Sequence, residues 1–232
     1  MSLGKKGNMP LTPITAIVPV RKGSERVPNK NIRPFQGESL LAIKLKALNS
    51  CNRLSGILVS SDCDEMLKIS KIYGASLEKR EPYYASSGCS NSEFHRYIAS
   101  IAPTESFVVT PVTAPLVRPE TIDTCIALFL NSCQTADSLV TTTCLKSYIV
   151  DSIGQAVNFS RGNLCRTQDL PEYREINYNI CVTKRSTVEE YGNFVGNNAI
   201  FFDLNELESI DIDTLLDFEV AEFLYAKYSK KY

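Results

Sequence analysis

ITAIVPVRKGSERVPNKN, running from Ile14 to Asn31, is the stretch whose reading decides the fold. Its first seven residues, Ile14 to Val20, are apolar and rich in β-branched side chains. That is the length of a core strand and far too short to span a bilayer. A polar loop punctuated by Gly23 and Pro28 follows at once. Beyond it, Leu40, Leu41, Ile43, Leu45 and Leu48 recur at helical spacing. The same alternation repeats downstream. Gly56 to Ser60 reads as a strand that enters Ser61-Asp62 and a helix carrying Met66, Leu67, Ile69 and Ile72. Ser90-x-x-Glu93 has capping-box spacing and should start another helix. Phe107 to Thr110 is the next strand, and Pro119 and Glu120 suit the first turn of a helix through Ile122, Ile126 and Phe129. Short β-rich runs alternating with helical patterns predict an α/β fold with a mainly parallel sheet flanked by helices.

After Ser138 the texture changes. Leu139 to Thr143, Tyr148 to Val150 and Tyr178 to Thr183 read as strands separated by polar loops, so an inserted β-rich arm of about 139–190 is expected. Ala199 to Phe202 should return to the main sheet, and Leu216, Val220, Phe223 and Leu224 give the last helix an apolar stripe. The whole is one domain, 14–232, with 1–13 as a flexible lead-in; 232 residues suffice for one α/β core but hardly for two.

The bulk numbers narrow the function classes. With a formal net charge of −1, nothing points to a nucleic-acid or anionic-membrane surface, so an anionic substrate must be held by local basic groups and backbone donors. No secretory signal is read at the N-terminus. The eight cysteines form no Cys-x-x-Cys pair and lie in apolar or mixed segments, which fits free thiols in a cytoplasmic protein better than disulfides or zinc. The one histidine, His95, reads as a helix-surface residue rather than a general base.

The loop after the first strand is the strongest chemical signal. Ligands of open α/β sheets bind at the carboxyl ends of strands, where this loop must lie. It offers Gly23 for close backbone approach, Ser24 as a donor, and Arg21, Lys22, Arg26 and Lys30 as cations. Such a loop can wrap a triphosphate, although a solvated basic loop would look much the same. The second signal is Ser209-Ile210-Asp211-Ile212-Asp213-Thr214. Residues two apart in an extended segment face one side, so Asp211 and Asp213 present paired carboxylates suited to Mg²⁺. Asp213 could instead cap the following helix, and Asp62 could either face the site or cap its own helix.

The run Ile17-Val18-Pro19-Val20-Arg21-x-x-Ser24-x-Arg26-x-Pro28-x-Lys30-Asn31 resembles the signature of the acylneuraminate cytidylyltransferases, and the resemblance extends over nearly the whole chain from Ile14. It implies a nucleotide-diphospho-sugar-transferase type of α/β fold. The implied reaction joins CMP from CTP to a sialic-acid-like 3-deoxy sugar acid, with Mg²⁺ as cofactor, and the implied assembly is a homodimer closed by the arm. By resemblance Arg21, Ser24, Lys30 and Asn31 hold phosphates and ribose, with Gly23 beside them. Arg80, Cys89 and Asn91 read the cytosine and its ribose, while Thr113, Gln168, Asn177 and Phe194 line the sugar pocket. Arg21, Lys30, Asp211 and Asp213 carry the catalysis, and Asp211 and Asp213 hold the metal. Arg80 and Cys89 to Asn91 also read as a surface arginine and an ordinary helix cap.

Three positions depart from the family. Glu25 stands where a non-acidic residue is usual, Thr167 fills the place of the arginine before Gln168-Asp169-Leu170-Pro171, and Pro111 replaces a glutamine that addresses the sugar. A proline has no side-chain donor or N–H, so the acceptor's identity is left open. Two other readings stand beside this one: a 3-deoxy-octulosonate cytidylyltransferase, and a non-catalytic nucleotide-binding relative.

Overall fold

The computed structural model describes residues 12–24 and 26–228. The lead-in up to residue 11 and the departure at Glu25 lie outside the described residues. In chain order the elements are β1 (Ile14–Val20), a small hairpin of β2 (Pro34–Phe35) and β3 (Glu38–Ser39), α1 (Leu40–Asn49), β4 (Gly56–Ser61), α2 (Asp64–Ile72), β5 (Ser76–Lys79), α3 (Pro82–Ala85), α4 (Asn91–Ile101), β6 (Ser106–Val109), α5 (Pro119–Ser132), β7 (Ser138–Leu145), β8 (Tyr173–Lys184), α6 (Arg185–Tyr191), β9 (Ala199–Asp203) and α7 (Leu215–Tyr228). A 3₁₀ turn, Thr167–Asp169, precedes β8.

Seven strands form one sheet in the order β5-β4-β1-β6-β8-β7-β9. Neighbours β5, β4, β1 and β6 are parallel, β8 runs antiparallel to both β6 and β7, and β7 is parallel to β9. Only β8 is reversed, so the sheet is mainly parallel as the alternating pattern predicts. From β1 the chain moves to β4 on one side and later to β6 on the other. The strand order therefore switches at the carboxyl end of β1, where open α/β sheets bind ligands.

Strand alternation divides the core. Ala16, Val18 and Val20 point to one face, packed with Leu41 and Leu45 of α1, Met66 of α2, Ile122 of α5 and Phe218 of α7. Ile17 points to the other, among Tyr97 and Ile98 of α4 and Val188 of α6. Local signals agree with these layers. Ser39 caps α1 by accepting from the Ala42 N–H, and α4 opens with the expected Ser90/Glu93 capping box.

Three expectations need correction. The β-rich arm does not stand apart as a whole: Ser138–Val140 pair with Cys181–Thr183 on one side and with Ala199–Phe201 on the other, deep in the main sheet. Past the β7 register shift at Val140/Thr142 the ladder continues, with Thr142–Leu145 paired to Tyr173–Ile176, and only the chain between β7 and β8 leaves the sheet. Tyr148 to Val150 forms no strand, because the Asp151 carboxylate accepts from the Ile153 and Gln155 N–H groups and Gly154 takes a φ of 81°. These contacts turn the chain and leave the single bridge Val150–Ala156. On α7, Leu216, Val220 and Phe223 are exposed, whereas Phe218 and Ala221 are buried. Phe218 meets Phe35 edge-on at 5.3 Å, which fixes the rotation of the helix. No helix among the described residues is long and apolar enough to cross a membrane.

Candidate active site

The loop between β1 and β2 is tied down at both ends. Asn31, buried, donates from Nδ2 to the Arg21 carbonyl at 3.0 Å, and its own carbonyl accepts from the Leu41 N–H. The Lys22 N–H donates to Asp62 Oδ1 at 2.9 Å, so Asp62 serves the loop; α2 has Cys63 at its cap position, without a side-chain cap bond. Gly23 has a φ of 80°, a left-handed conformation that disfavours any side chain. The loop borders a cavity of about 560 Å³ lined by Arg21, Ser24, Arg26, Lys30 and Asn31 on one side. Arg80, Tyr84, Cys89, Asn91 and Phe94 line the other. An Arg21 guanidinium N–H donates to the Ala85 carbonyl at 2.8 Å and joins the two walls. Of the residues expected at the nucleotide, all but Gly23 line this cavity.

Arg80 is 3% exposed. Its Nε donates to Ser60 Oγ at 3.1 Å, a second guanidinium N–H donates to the Ser60 carbonyl at 2.6 Å, and the guanidinium lies over the Phe94 ring at 5.1 Å. Ser60 Oγ donates on to Glu78 Oε2 at 2.9 Å, and the Tyr97 hydroxyl donates to the same oxygen at 2.5 Å. Tyr97 in turn stacks on Tyr84 of the cavity wall at 4.2 Å. Arg80 is thus a built feature of the interior and not a surface arginine.

Lys30 links the cavity to the carboxylate pair. Its ammonium donates to the Ile212 carbonyl at 2.5 Å and stands 4.0 Å from Asp213 Oδ1, which also meets Arg26 at 2.9 Å. Burial pushes the Lys30 pKa down, and the charges of Asp211 and Asp213 act against that shift. Ile212 is fully buried between the two aspartates, as alternation in an extended segment requires. Thr214 and Asp217 supply the cap of α7: Thr214 Oγ1 accepts from the Asp217 N–H, and the Asp217 carboxylate accepts from the Thr214 N–H. Asp213 is therefore free of the capping duty that the sequence allowed it.

Asp211 Oδ1 is buried and has no hydrogen-bond partner among the described residues. A bare carboxylate oxygen beside a second, half-exposed carboxylate fits a hard divalent cation. Those residues contain no group of three or more His, Cys, Asp or Glu that could cage a metal. Mg²⁺ needs no such cage, since it is commonly held by one or two carboxylates together with waters and substrate phosphates.

The sugar-pocket residues are scattered. Thr113 lies against the carboxylate segment, its carbonyl accepting from the Ile212 N–H at 2.9 Å. Gln168 is exposed in the 3₁₀ turn, away from the cavity lining. Asn177 spends its amide inside the sheet: Oδ1 accepts from Thr141 Oγ1 at 2.6 Å and Nδ2 donates to Thr143 Oγ1 at 3.0 Å, across the β7 register shift. Phe194 needs outright correction. It is 5% exposed, stacked on His95 at 3.9 Å and set edge-on to Phe107, so its ring belongs to the core and presents no face to a sugar. The same stack half-buries His95, which the sequence placed on the surface.

Sequence reasoning missed Ser60, Glu78 and Tyr97 behind Arg80, and two residues beneath the carboxylates. Asn179 is fully buried, with Oδ1 unpartnered among the described residues. Lys44 is 1% exposed within α1. Its signal was present, since it falls four residues after Leu40 and four before Leu48 on the apolar face.

A family model described as Cytidylyltransferase matches residues 15–228. Post-translational flagellin modification protein B of Campylobacter coli is 27% identical over 228 residues, covering 92% of this chain and 95% of its own. The N-acylneuraminate cytidylyltransferase of Escherichia coli is 26% identical over 227 residues; these cover 95% of this chain but 54% of that protein, so the chain spans about half its length. Among solved structures, CMP:2-keto-3-deoxy-manno-octonic acid synthetase complexed with CTP superposes with a TM-score of 0.67 at 13% identity. That likeness covers 93% of this chain and 99% of the other and concerns the fold alone.

Proposed function

The chain belongs to the cytidylyltransferase family, and on that premise we propose that it joins CMP from CTP to the anomeric hydroxyl of a sialic-acid-like 3-deoxy sugar acid. The bond formed runs from the anomeric oxygen to the α-phosphorus. The bond broken joins that phosphorus to the oxygen bridging to the β-phosphate, and pyrophosphate leaves with the electron pair. The observation that carries this reading is the position of Lys30, which lines the nucleotide-sized cavity and holds the carboxylate segment at Ile212.

Positioning and charge neutralisation dominate phosphoryl chemistry of this kind. Arg21, Ser24 and Lys30 would grip the triphosphate, and Arg21 and Lys30 would offset charge on the leaving pyrophosphate. Arg80, fixed by Ser60 and Phe94, would meet the cytosine at the far wall, with Cys89 leaving room for the ring. Asp211 and Asp213 would hold Mg²⁺, which supplies Lewis-acid stabilisation of phosphate charge when bound. The acceptor would enter beside Thr113. Pro111 lacks the side-chain contact usual at that place, so an acid other than N-acetylneuraminate is the preferred substrate in this reading. Gln168 would reach the site only through the projecting chain of a second copy, which makes the working unit a homodimer in the cytoplasm.

The octulosonate alternative is less favoured, because Ser209-Ile-Asp-Ile-Asp213 is the sialic-type pattern. The non-catalytic alternative must explain an unpartnered Asp211 oxygen beside the phosphate loop. Pyrophosphate release from CTP and Mg²⁺, measured against N-acetylneuraminate, its deaminated analogue, legionaminate-type acids and octulosonates, tests the proposal. Release with a nine-carbon acid supports it; no release with any of them overturns it.

A further inference from the structure

The site just described leaves one buried charge without a task. The Lys44 ammonium lies beneath the turn that joins β6 to α5, donating to Thr110 Oγ1 at 3.1 Å and to the Ala114 carbonyl at 2.9 Å. Among the described residues no carboxylate pairs with it within salt-bridge distance, although Asp211 and Glu208 are near enough for their charges to act on it. A lysine without an ion-pair partner is costly to bury.

Two chains of hydrogen bonds leave Lys44 and converge on the carboxylate segment. In one, Thr110 Oγ1 donates to the Asn179 carbonyl at 2.8 Å, and Asn179 Nδ2 donates to the Glu208 carbonyl at 3.0 Å. In the other, Lys44 fixes Ala114, and the adjoining Thr113 carbonyl accepts from the Ile212 N–H at 2.9 Å. Lys30 secures the same peptide segment from the cavity side through the Ile212 carbonyl. Residues 208–213 are therefore clamped between two lysines, one facing the cavity and one inside the core.

We propose that Lys44 is a positioning residue for the carboxylate pair, holding Asp211 and Asp213 at the height the transferring phosphate requires through the turn at Thr110–Ala114. This rests on the reading of that pair as the metal-binding group. Lys44 touches neither nucleotide nor acceptor and acts through the backbone it braces.

The test uses the full-length protein with Lys44→Met, which matches the apolar stem as far as the Cε position and removes the ammonium, and Thr110→Val, which keeps the ammonium and removes one partner. Calorimetry with CTP alone should give both variants a Kd within twofold of wild type. Titration of Mn²⁺ into the CTP-loaded protein should show affinity lowered about tenfold in Lys44→Met and less in Thr110→Val. With the fastest acceptor of the panel above, kcat should fall at least tenfold in Lys44→Met while the KM for CTP moves less than threefold. Wild-type Mn²⁺ affinity and wild-type kcat in both variants overturn the proposal. So does a parallel loss of CTP affinity, which marks general disruption. If wild-type protein with CTP binds no Mn²⁺, the metal reading fails separately. The kcat result then decides on Lys44 alone: a fall at constant KM supports it and no change refutes it.

Discussion

The Arg26 guanidinium stands 2.9 Å from the Asp213 carboxylate, and both side chains are more than half exposed. An ion pair so open to water contributes at most about 1 kcal/mol to stability. Arg26 also lines the cavity beside β1. The pair thus joins the loop after β1 to the carboxylate segment at little energetic cost. Arg26→Ala should leave the unfolding free energy within about 1 kcal/mol of wild type while weakening CTP binding several-fold. Urea melts and calorimetry check both statements. A large stability loss with unchanged CTP affinity would show that the pair is structural.

Asp211 and Asp213 differ in their surroundings. Asp211 buries an unpartnered oxygen, while Asp213 is half exposed and shared between Arg26 and Lys30. Neither caps α7. Asp211→Asn and Asp213→Asn preserve shape and remove charge, so each should reduce turnover by roughly 100-fold or more, an effect of about 3 kcal/mol on the barrier. The fold should stay intact by circular dichroism, and CTP should still bind without metal. Retention of most Mg²⁺-dependent activity in both variants would be a failure of the metal reading.

How much of this the sequence showed depends on where the deciding contact lies. The β1 strand and its loop were legible because an apolar run, a glycine and a basic cluster are local signals. Thr214 and Asp217 could have been read as a capping box, which would have released Asp213 from the cap. The arm's boundaries were not legible, since strands buried on both faces and strands leaving a sheet share the same apolar texture at Leu139 to Thr143. On α7, Leu216, Val220 and Phe223 and the set Phe218, Ala221 and Tyr225 all recur at helical spacing. Only the long-range contact with Phe35 chooses between them. Phe194 misled for the same reason: its partner His95 lies in a distant helix.

Burial brings the Lys44 pKa down from 10.5 to about 8. Between those values the unfolded chain holds a proton that the folded chain has released, so this lysine makes stability rise with pH. The largest gain is about 3 kcal/mol across the interval. Cys51 and Cys125 act in the opposite sense, because burial holds their thiols up at about 12 against an ordinary 9.0. Unfolding then releases protons above pH 9, and stability falls. The difference between wild type and Lys44→Met removes the shared thiol contribution. Measured by urea melts, the unfolding free energy of wild type minus that of the variant should be flat below pH 7 and rise from pH 8 to 10.5. A difference that stays constant throughout would show that the buried group is not titrating there.

The Arg80 network predicts a specificity effect. Glu78 receives the protons of both Ser60 Oγ and the Tyr97 hydroxyl, which leaves Ser60 Oγ turned to accept from Arg80 Nε. Glu78→Ala frees that hydroxyl to reorient and unpins the guanidinium. The variant should bind CTP three- to tenfold more weakly while UTP binding changes little, so the preference between the two bases narrows. Thermal shift and calorimetry with each nucleotide read this out. A uniform change for CTP and UTP would place the effect in the phosphates, not the base.

The last prediction concerns assembly. Between β7 and β8 the chain leaves the sheet and exposes Tyr148, Val150, Ile153, Val157 and Leu164, with Ile153 76% and Leu164 63% accessible. So many large apolar side chains on one projecting segment mark a surface that another molecule covers. The segment also carries Gln168, which lies outside its own subunit's cavity lining. A second copy placed across a two-fold axis would bury these residues and bring Gln168 to the partner's acceptor pocket, by a self-complementary contact of the commonest kind. A stable interface of this type removes about 800 Å² from each partner. Wild type should therefore sediment as a dimer at micromolar concentration. Ile153→Asp with Leu164→Asp should shift it to monomer without altering the subunit's own stability beyond about 1 kcal/mol, since both side chains already face water. The monomer should lose acceptor turnover and keep CTP binding. Wild type found monomeric by light scattering and fully active would remove the arm from the mechanism.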